Sequence, residues 1–365
     1  MRKLCFILLL LISVTLISVS TIAASDVTDD VIGDVNLDHA TADNVVVDDI
    51  DVNNLDVDDD VDDVDVISAP QDKKSTSSKK LSDSKPSSFL YLNHALKNNA
   101  NVVLDEDYAY FCRTDSEFTN GILLDHDITI DGNGHTIDGC RLSRIFKIGS
   151  DNVNVVIKNL NLVNGRTRDI GGAAIFGNCT AINCTFQGND VGYTGFGGAM
   201  YGGCAINCTF EGNNIDRERT IEGKGGAMYG GTAKGCIFKN NAAGKGGAVA
   251  YCNIENCILE DNKSGNWAGA MLEGYAKNCT FIRNYAPMSG GAMDAEGRNI
   301  CIAEDCTFIE NKANVGAAIA DGTAIRCVFI NNIAVEWGGS AIQWGNATQC
   351  TFNNDTVGDT KLLDS

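Results

Sequence analysis

The sequence predicts an all-β fold: a single-stranded parallel β-helix, or solenoid, with a capping segment at its N-terminal end. Three observations predict it. A register of Cys-x-Phe-x-x-Asn recurs from Cys184 to Cys350 at intervals of 21–28 residues, the length of one supersecondary unit in a solenoid. Within each copy the apolar residues alternate with period two rather than the 3.6 of a helix. A second landmark, Gly-Gly-Ala or a close variant, stands between successive copies, where the backbone must turn.

The N-terminus comes first. Arg2 and Lys3 precede an almost wholly apolar run at 4–19, and small residues follow at 21–25. That is the pattern of an export signal cleaved after Ala23 or Ala24, so residues 1–24 are read as a signal peptide and the protein as secreted or at the cell surface. The alternative is an uncleaved membrane tether, since 5–24 is long enough to cross a bilayer. Residues 25–70 hold sixteen Asp and no Lys or Arg. Self-repulsion and a shortage of apolar residues make this an acidic disordered tract. Calcium binding is the sharper reading, but the glycine turn and closing acid of known calcium loops are missing. Residues 71–88 form a Lys/Ser linker. The net charge is −20. No basic stripe is present to displace counterions, so nucleic acid is excluded as a partner.

Order is expected from Phe89. Leu92, Ala95 and Leu96 have helical spacing, and Asn-Asn ends the run. Residues 101–110 read as a strand and turn. Ile128 and Ile130 alternate before a Gly-Asn-Gly turn, and 153–165 alternate again. Residues 89–126 are therefore read as the N-terminal cap, shielding an open sheet edge. The repeats occupy 127–355, and 356–365 is a tail. The last rung has no obvious cap, so end-to-end self-association is one expected partner mode.

The repeat itself fixes the inside and the outside. Cys at 184, 208, 236, 257, 279, 306, 327 and 350 is followed two residues later by Phe, or by Leu259. These face inward; the Thr between them and the Asn before Cys face outward. The residue after the Gly-Gly-Ala alanine is apolar throughout, from Ala174 and Met200 to Ile342. Each repeat should thus carry two short strands. The Asn of Cys-x-Phe-x-x-Asn marks a corner, where it tolerates left-handed backbone and where stacked amides can form a ladder.

The Cys-Thr-Phe-x-x-Asn and Gly-Gly-Ala-Met-Tyr-Gly-Gly stretches resemble the repeats of polymorphic outer-membrane proteins and related right-handed β-helix surface proteins. Residues 116–148, followed by such rungs, are more closely similar to adhesin-like proteins of methanogenic archaea. The resemblance covers about 89–355. It implies a right-handed coil and an adhesin-like protein that binds glycans or cell surfaces without catalysis. An anaerobic host, also implied, disfavours disulfides. The chain departs from larger family members in stopping just after a rung.

Other chemistry is weighed against that. A polysaccharide lyase or hydrolase on the same fold would need clustered carboxylates. The outward position two past the alanine reads Ile175, Tyr201, Tyr229, Ala250, Leu272, Asp294, Ala320 and Gln343, which holds one Asp. Asp131 and Asp138 read as turn formers. No motif calls for a cofactor or a metal. The cysteines have three readings: small buried residues in a stack, disulfides between rungs in an exported protein, and metal ligands at unfavourable spacings. Asn178, Asn183, Asn207, Asn262, Asn278, Asn346 and Asn354 begin N-x-S/T triplets and are candidate glycan acceptors; as plain solvent-facing residues they need no glycan. A structural envelope glycoprotein is the remaining alternative. Finally, the variable stretch between Asn and Gly-Gly emerges along one edge. It carries Tyr193, Phe196, Trp267, Tyr285 and Trp337, with Arg217 and Arg219. Loops on one face of a solenoid are where ligands bind, so this edge is the candidate binding site.

Overall fold

No single repeat has enough chain around it to bury its own apolar row, so burial has to come from the copies above and below. The computed structural model describes residues 85–192, 195–215, 222–296, 301–335, 341–357 and 360–361. The segments read as a signal peptide, an acidic tract and a linker lie outside the described residues as far as residue 84. The repeats stack as a parallel β-solenoid of about ten turns.

One side is a twelve-stranded parallel sheet. It runs from Ser87–Ser88 through Tyr108–Ala109, Thr136–Asp138 and Asn161–Val163 to the Thr-Phe strands ending at Thr351–Asn353. Its register places Tyr108, Ile137, Leu162, Phe186, Phe210 and Phe238 in one inward column. The Phe186 and Phe210 rings stack 4.5 Å apart, and Phe308 and Phe329 4.9 Å apart. That matches the spacing of neighbouring strands. The second side is an eighteen-stranded sheet with two inward columns. One holds Phe146, Ile175, Met200, Met228 and Val249. The other holds Ile157, Ala181, Ala205, Ala233 and Ile254. Alternating burial along each strand follows from the two-residue side-chain period.

The first rung corrects the sequence register by one residue. Ile175 lies opposite Met200, and Phe176 opposite Tyr201. The extra alanine of Gly-Gly-Ala-Ala shifts the count, so Ile175 is the inward residue and Phe176 the outward one.

A third side was not expected. Arg166–Thr167, Asp190–Val191, Asn214–Ile215, Ala242–Lys245 and Lys263–Trp267 form a five-stranded sheet directly after the corner Asn. Each repeat therefore has three sides. Strands of two to five residues and variable composition leave no periodic signal in sequence.

The corner Asn residues are fully buried and form the expected ladder, with a different backbone. The Asn241 amide and its Nδ2 both donate to Asn262 Oδ1 at 3.0 Å, and Asn262 does the same to Asn284. Each Nδ2 also reaches a strand carbonyl, as Asn262 does to Phe238 at 2.9 Å. The left-handed backbone belongs instead to the residue before it, such as Gly212, Asn240 or Asp261, and to the residue before Cys, such as Asn207 or Asn278.

The cysteines in register are free and mostly buried. Along most of the column a Sγ accepts the amide of the preceding register Cys, as Cys208 does from Cys184 at 3.4 Å, and the Cys208 Sγ also lies 3.4 Å from the Ala181 carbonyl on the preceding rung. Burial pushes the Cys179 and Cys252 thiols up to about 12, which keeps them un-ionised and inert.

Helix Phe89–Leu96 closes the N-terminal end with Phe89, Leu92 and Leu96 buried. Its first amides are capped from a distance. Asp115 accepts from Phe89 at 3.1 Å, Leu90 at 3.2 Å and Phe111 at 2.8 Å, supplying the negative group that a helix start favours. Arg144, wholly buried, binds the carbonyls of Gly172 and Gly171 and of Asn120. It ties the cap to the first rungs. Asp131 and Asp138 are turn formers: each accepts the amide two residues on.

Candidate functional site

The most densely elaborated outward surface lies where the Gly-Gly turn meets the long sheet. The first glycine is left-handed, with φ of 63° at Gly197. A Cβ there would lie 2.0 Å from the Met200 carbonyl oxygen, so no other residue fits. The residue before this turn and the residue two past its alanine project on the same side. Stacking turns each into a column.

The first column is Phe196, Lys224, Lys245, Trp267 and Ser289, linked rung to rung by parallel bridges. The second is Phe176, Tyr201, Tyr229, Ala250, Leu272 and Asp294. The two columns touch. Phe176 and Tyr201 stack at 5.0 Å, and Tyr201 and Tyr229 at 5.4 Å. Phe196 packs 4.7 Å from Tyr229, and Tyr251 sits edge-on to it at 5.3 Å. Because these rings stack on one another, their edges and hydroxyls, rather than their faces, are presented outward.

Charges follow along the same face. Lys245 is 4% exposed; its Nζ lies 2.7 Å from Glu296, 3.0 Å from Glu222 and 4.4 Å from the Trp267 ring centre. Lys224 donates to Tyr251 at 2.9 Å and to Glu296 at 3.2 Å. Glu296 therefore reaches back to clasp two lysines on earlier rungs. Burial acts to raise its carboxyl, but the hydrogen bonds from Lys245 and Lys224 outweigh it and hold the group below its usual range. Burial pushes the Asp294 carboxyl up to about 6, against hydrogen bonds from Ser289 Oγ at 2.5 Å and the Glu296 amide at 2.9 Å.

The predicted edge residues divide. Phe196 and Trp267 belong to the first column. Tyr285 lies on the third side, bridging Lys263 and Lys312, and is 39% exposed. Tyr193, Arg217, Arg219 and Trp337 lie outside the described residues. Of the candidate glycan acceptors, Asn178, Asn183, Asn207, Asn278, Asn346 and Asn354 are exposed. Asn262 is a correction: it is buried in the ladder, and a glycan on its Nδ2 would have to displace bonds that nitrogen donates to Phe238 and Asn284. Among the described residues no group of three or more His, Cys, Asp or Glu is arranged to hold a metal ion.

Sequence reasoning passed over Lys245, Tyr251 and Glu296, and treated Tyr201 and Tyr229 only as outward positions. The signal for Lys245 was there: Lys precedes Gly-Gly-Ala at both 224 and 245. Glu296 left none, since its partners lie 51 and 72 residues away. No family model matches the chain, and neither a curated protein nor a solved structure does.

Proposed function

We propose that the chain is a secreted or cell-surface adhesin-like protein that binds glycans or other cell-surface molecules and does not catalyse their breakdown. The observation that carries this is the pair of touching outward columns, aromatic over three rungs and charged over the next. A linear polymer lying along the solenoid would meet the partly exposed rings of Phe176, Tyr201 and Tyr229 on three successive strands, and solenoids use such extended surfaces for recognition. The repeat resemblance to archaeal adhesin-like β-helix proteins supports the same reading. So does the export-signal pattern of the first 24 residues.

The test is a glycan and polysaccharide array probed with the purified protein, reading both retention and released product. Tyr201→Ala combined with Trp267→Ala should lower retention by about tenfold or more, the loss expected from removing aromatic anchors. Unchanged retention would reject this face as the site.

A second reading rests on Asp294 and Glu296. One carboxyl is raised and its neighbour lowered, the division of labour that acid and base need in glycoside hydrolysis. Asp294 is only 2% exposed, which favours a structural role. Released oligosaccharide, lost in Asp294→Asn, would establish the enzyme. Silence in both readouts would favour a structural envelope glycoprotein.

A further inference from the structure

Three cations lie against the rings of the outward columns. Arg144 is 5.0 Å from the Phe176 ring centre, Lys224 5.1 Å from that of Tyr251, and Lys245 4.4 Å from that of Trp267. The ring quadrupole favours such contacts, but each cation also has a carboxylate. Arg144 pairs with Asp169 at 3.5 Å, and Lys224 with Glu296 at 3.2 Å. Lys245 pairs with Glu296 at 2.7 Å and with Glu222 at 3.0 Å. Three cations thus meet three carboxylates, and the cluster carries no net charge.

The partners differ in depth. Arg144 and Lys245 are buried, whereas the side chains of Asp169 and Glu222 are 55% and 57% exposed. Lys224 and Glu296 lie closer together in depth, with the carboxylate again the more exposed. A ligand descending onto the rings therefore meets carboxylate oxygens before it meets nitrogen. A polymer bearing a carboxylate or sulfate on each sugar would be repelled on approach. To reach a lysine it would have to displace the carboxylate already bonded there and leave that group unpaired. An uncharged polymer faces neither cost. Its C–H groups pack against the ring edges, and its hydroxyls donate to carboxylate oxygens, which only accept.

We propose that the ligand of the ring columns is an uncharged polysaccharide, and that the outward carboxylates exclude acidic polysaccharides. This rests on the reading of the same face as a glycan site. Glu296 is the main selectivity residue, because it alone occupies two lysines at once.

The experiment measures retention of the full chain on immobilised polymers at about 150 mM salt, where the Debye length is about 8 Å and the net charge of −20 acts only locally. The neutral probes are a glucan, a galactan and a mannan. Polygalacturonate and a sulfated galactan are the acidic probes, and chitosan is the basic one. At least one neutral polymer should be retained about tenfold or more tightly than either acidic polymer, and Tyr201→Ala should weaken that retention. Glu296→Gln leaves Lys245 with Glu222 alone and takes the carboxylate from Lys224. It should raise retention on polygalacturonate by about tenfold, a gain that vanishes at about 1 M salt. Circular dichroism checks that the variant is folded. If it is not, Glu222→Gln, at an exposed position, should give a smaller gain with the same salt dependence. A folded variant that gained no acidic polymer would overturn the proposal. So would an acidic or basic polymer that the wild type retained more tightly than every neutral one and lost in Tyr201→Ala; the face would then still be a glycan site. If no polymer responded to Tyr201→Ala, the glycan reading of the face would fail, and the proposal with it.

Discussion

At the scale of single residues, the ladder Asn is the most demanding position in the coil. Its amide side chain accepts two hydrogen bonds from the rung on one side and donates to a carbonyl and to the next amide. Few side chains of that length both donate and accept. Asn262→Ala would leave the Asn241 amide without an acceptor and its Nδ2 with only the Phe210 carbonyl, inside the protein. Buried donors left this way cost about 1–3 kcal/mol each, so a loss of about 2–4 kcal/mol is expected in denaturant unfolding. Asp355 ends the ladder because a carboxylate can only accept; it takes both bonds from Asn332. Asp294 supplies a pH-dependent test. Its folded carboxyl titrates at about 6, against about 4 in an unfolded chain. The folded protein therefore holds a proton that the unfolded chain has lost. The stability this contributes is complete below about pH 4 and disappears as pH rises through 6. In Asp294→Asn that fall is removed, and Asn keeps an acceptor for the Glu296 amide. Melting temperature measured from pH 4 to 7 should show the variant gaining on the wild type as pH rises. A constant difference would mean that Asp294 titrates normally.

At the scale of elements, Arg144 shows how the cap is joined to the coil. It is wholly buried, and its guanidinium holds three carbonyls on two sides of the junction. Its stem and ring contact also matter, since it lies 5.0 Å over Phe176. Arg144→Met keeps most of the apolar volume but leaves those carbonyls without donors. A loss of about 3 kcal/mol is expected, read as earlier proteolysis or faster hydrogen exchange in the strand Ile122–Leu124 than in Thr307–Ile309. Uniform exchange in both strands would mean that the junction carries no special stability. Such elements also show what the sequence could and could not reveal. The Cys/Phe strands were legible because one residue type recurs at one register, and stacking demands like on like. The helix Phe89–Leu96 was legible from three apolar residues. The third side was not, because its strands are two to five residues long and their register is held by hydrogen bonds to neighbouring rungs rather than by a side-chain pattern. The face bearing Lys245 and Glu296 was half legible: a column can be read from repeats, but a contact spanning 51 residues of chain cannot.

At the scale of the whole molecule, the coil is nearly one-dimensional, and its stability is a sum of rungs and the interfaces between them. A rung is therefore an exchangeable unit, provided that it is removed in register. Residues 306–326 are one such unit, since Asn311 bonds Asn332 across an offset of 21 residues. Deleting them joins Asp305 to Cys327. The Phe column then continues from Phe281 to Phe329, the Ala column from Ala303 to Ala347, and the Asn ladder from Asn284 to Asn332. The aromatic columns that carry the proposed binding lie on earlier rungs and lose nothing. The shortened protein should stay folded, with the β-sheet circular dichroism of the parent per residue, a smaller denaturant slope because less surface is exposed on unfolding, and unchanged retention on the glycan array. Deleting only 306–315 removes half a rung. It would place Gly316 where Cys306 stood and the inward Ile319 where the outward Ile309 stood, so neighbouring rungs would no longer match inward to inward. That variant should aggregate or be degraded. If both deletions folded equally well, in-register stacking would not be what specifies the coil. If the full-rung deletion folded but lost retention, the binding surface would have to extend beyond the face built around Tyr201, Tyr229 and Lys245, toward the C-terminal rungs.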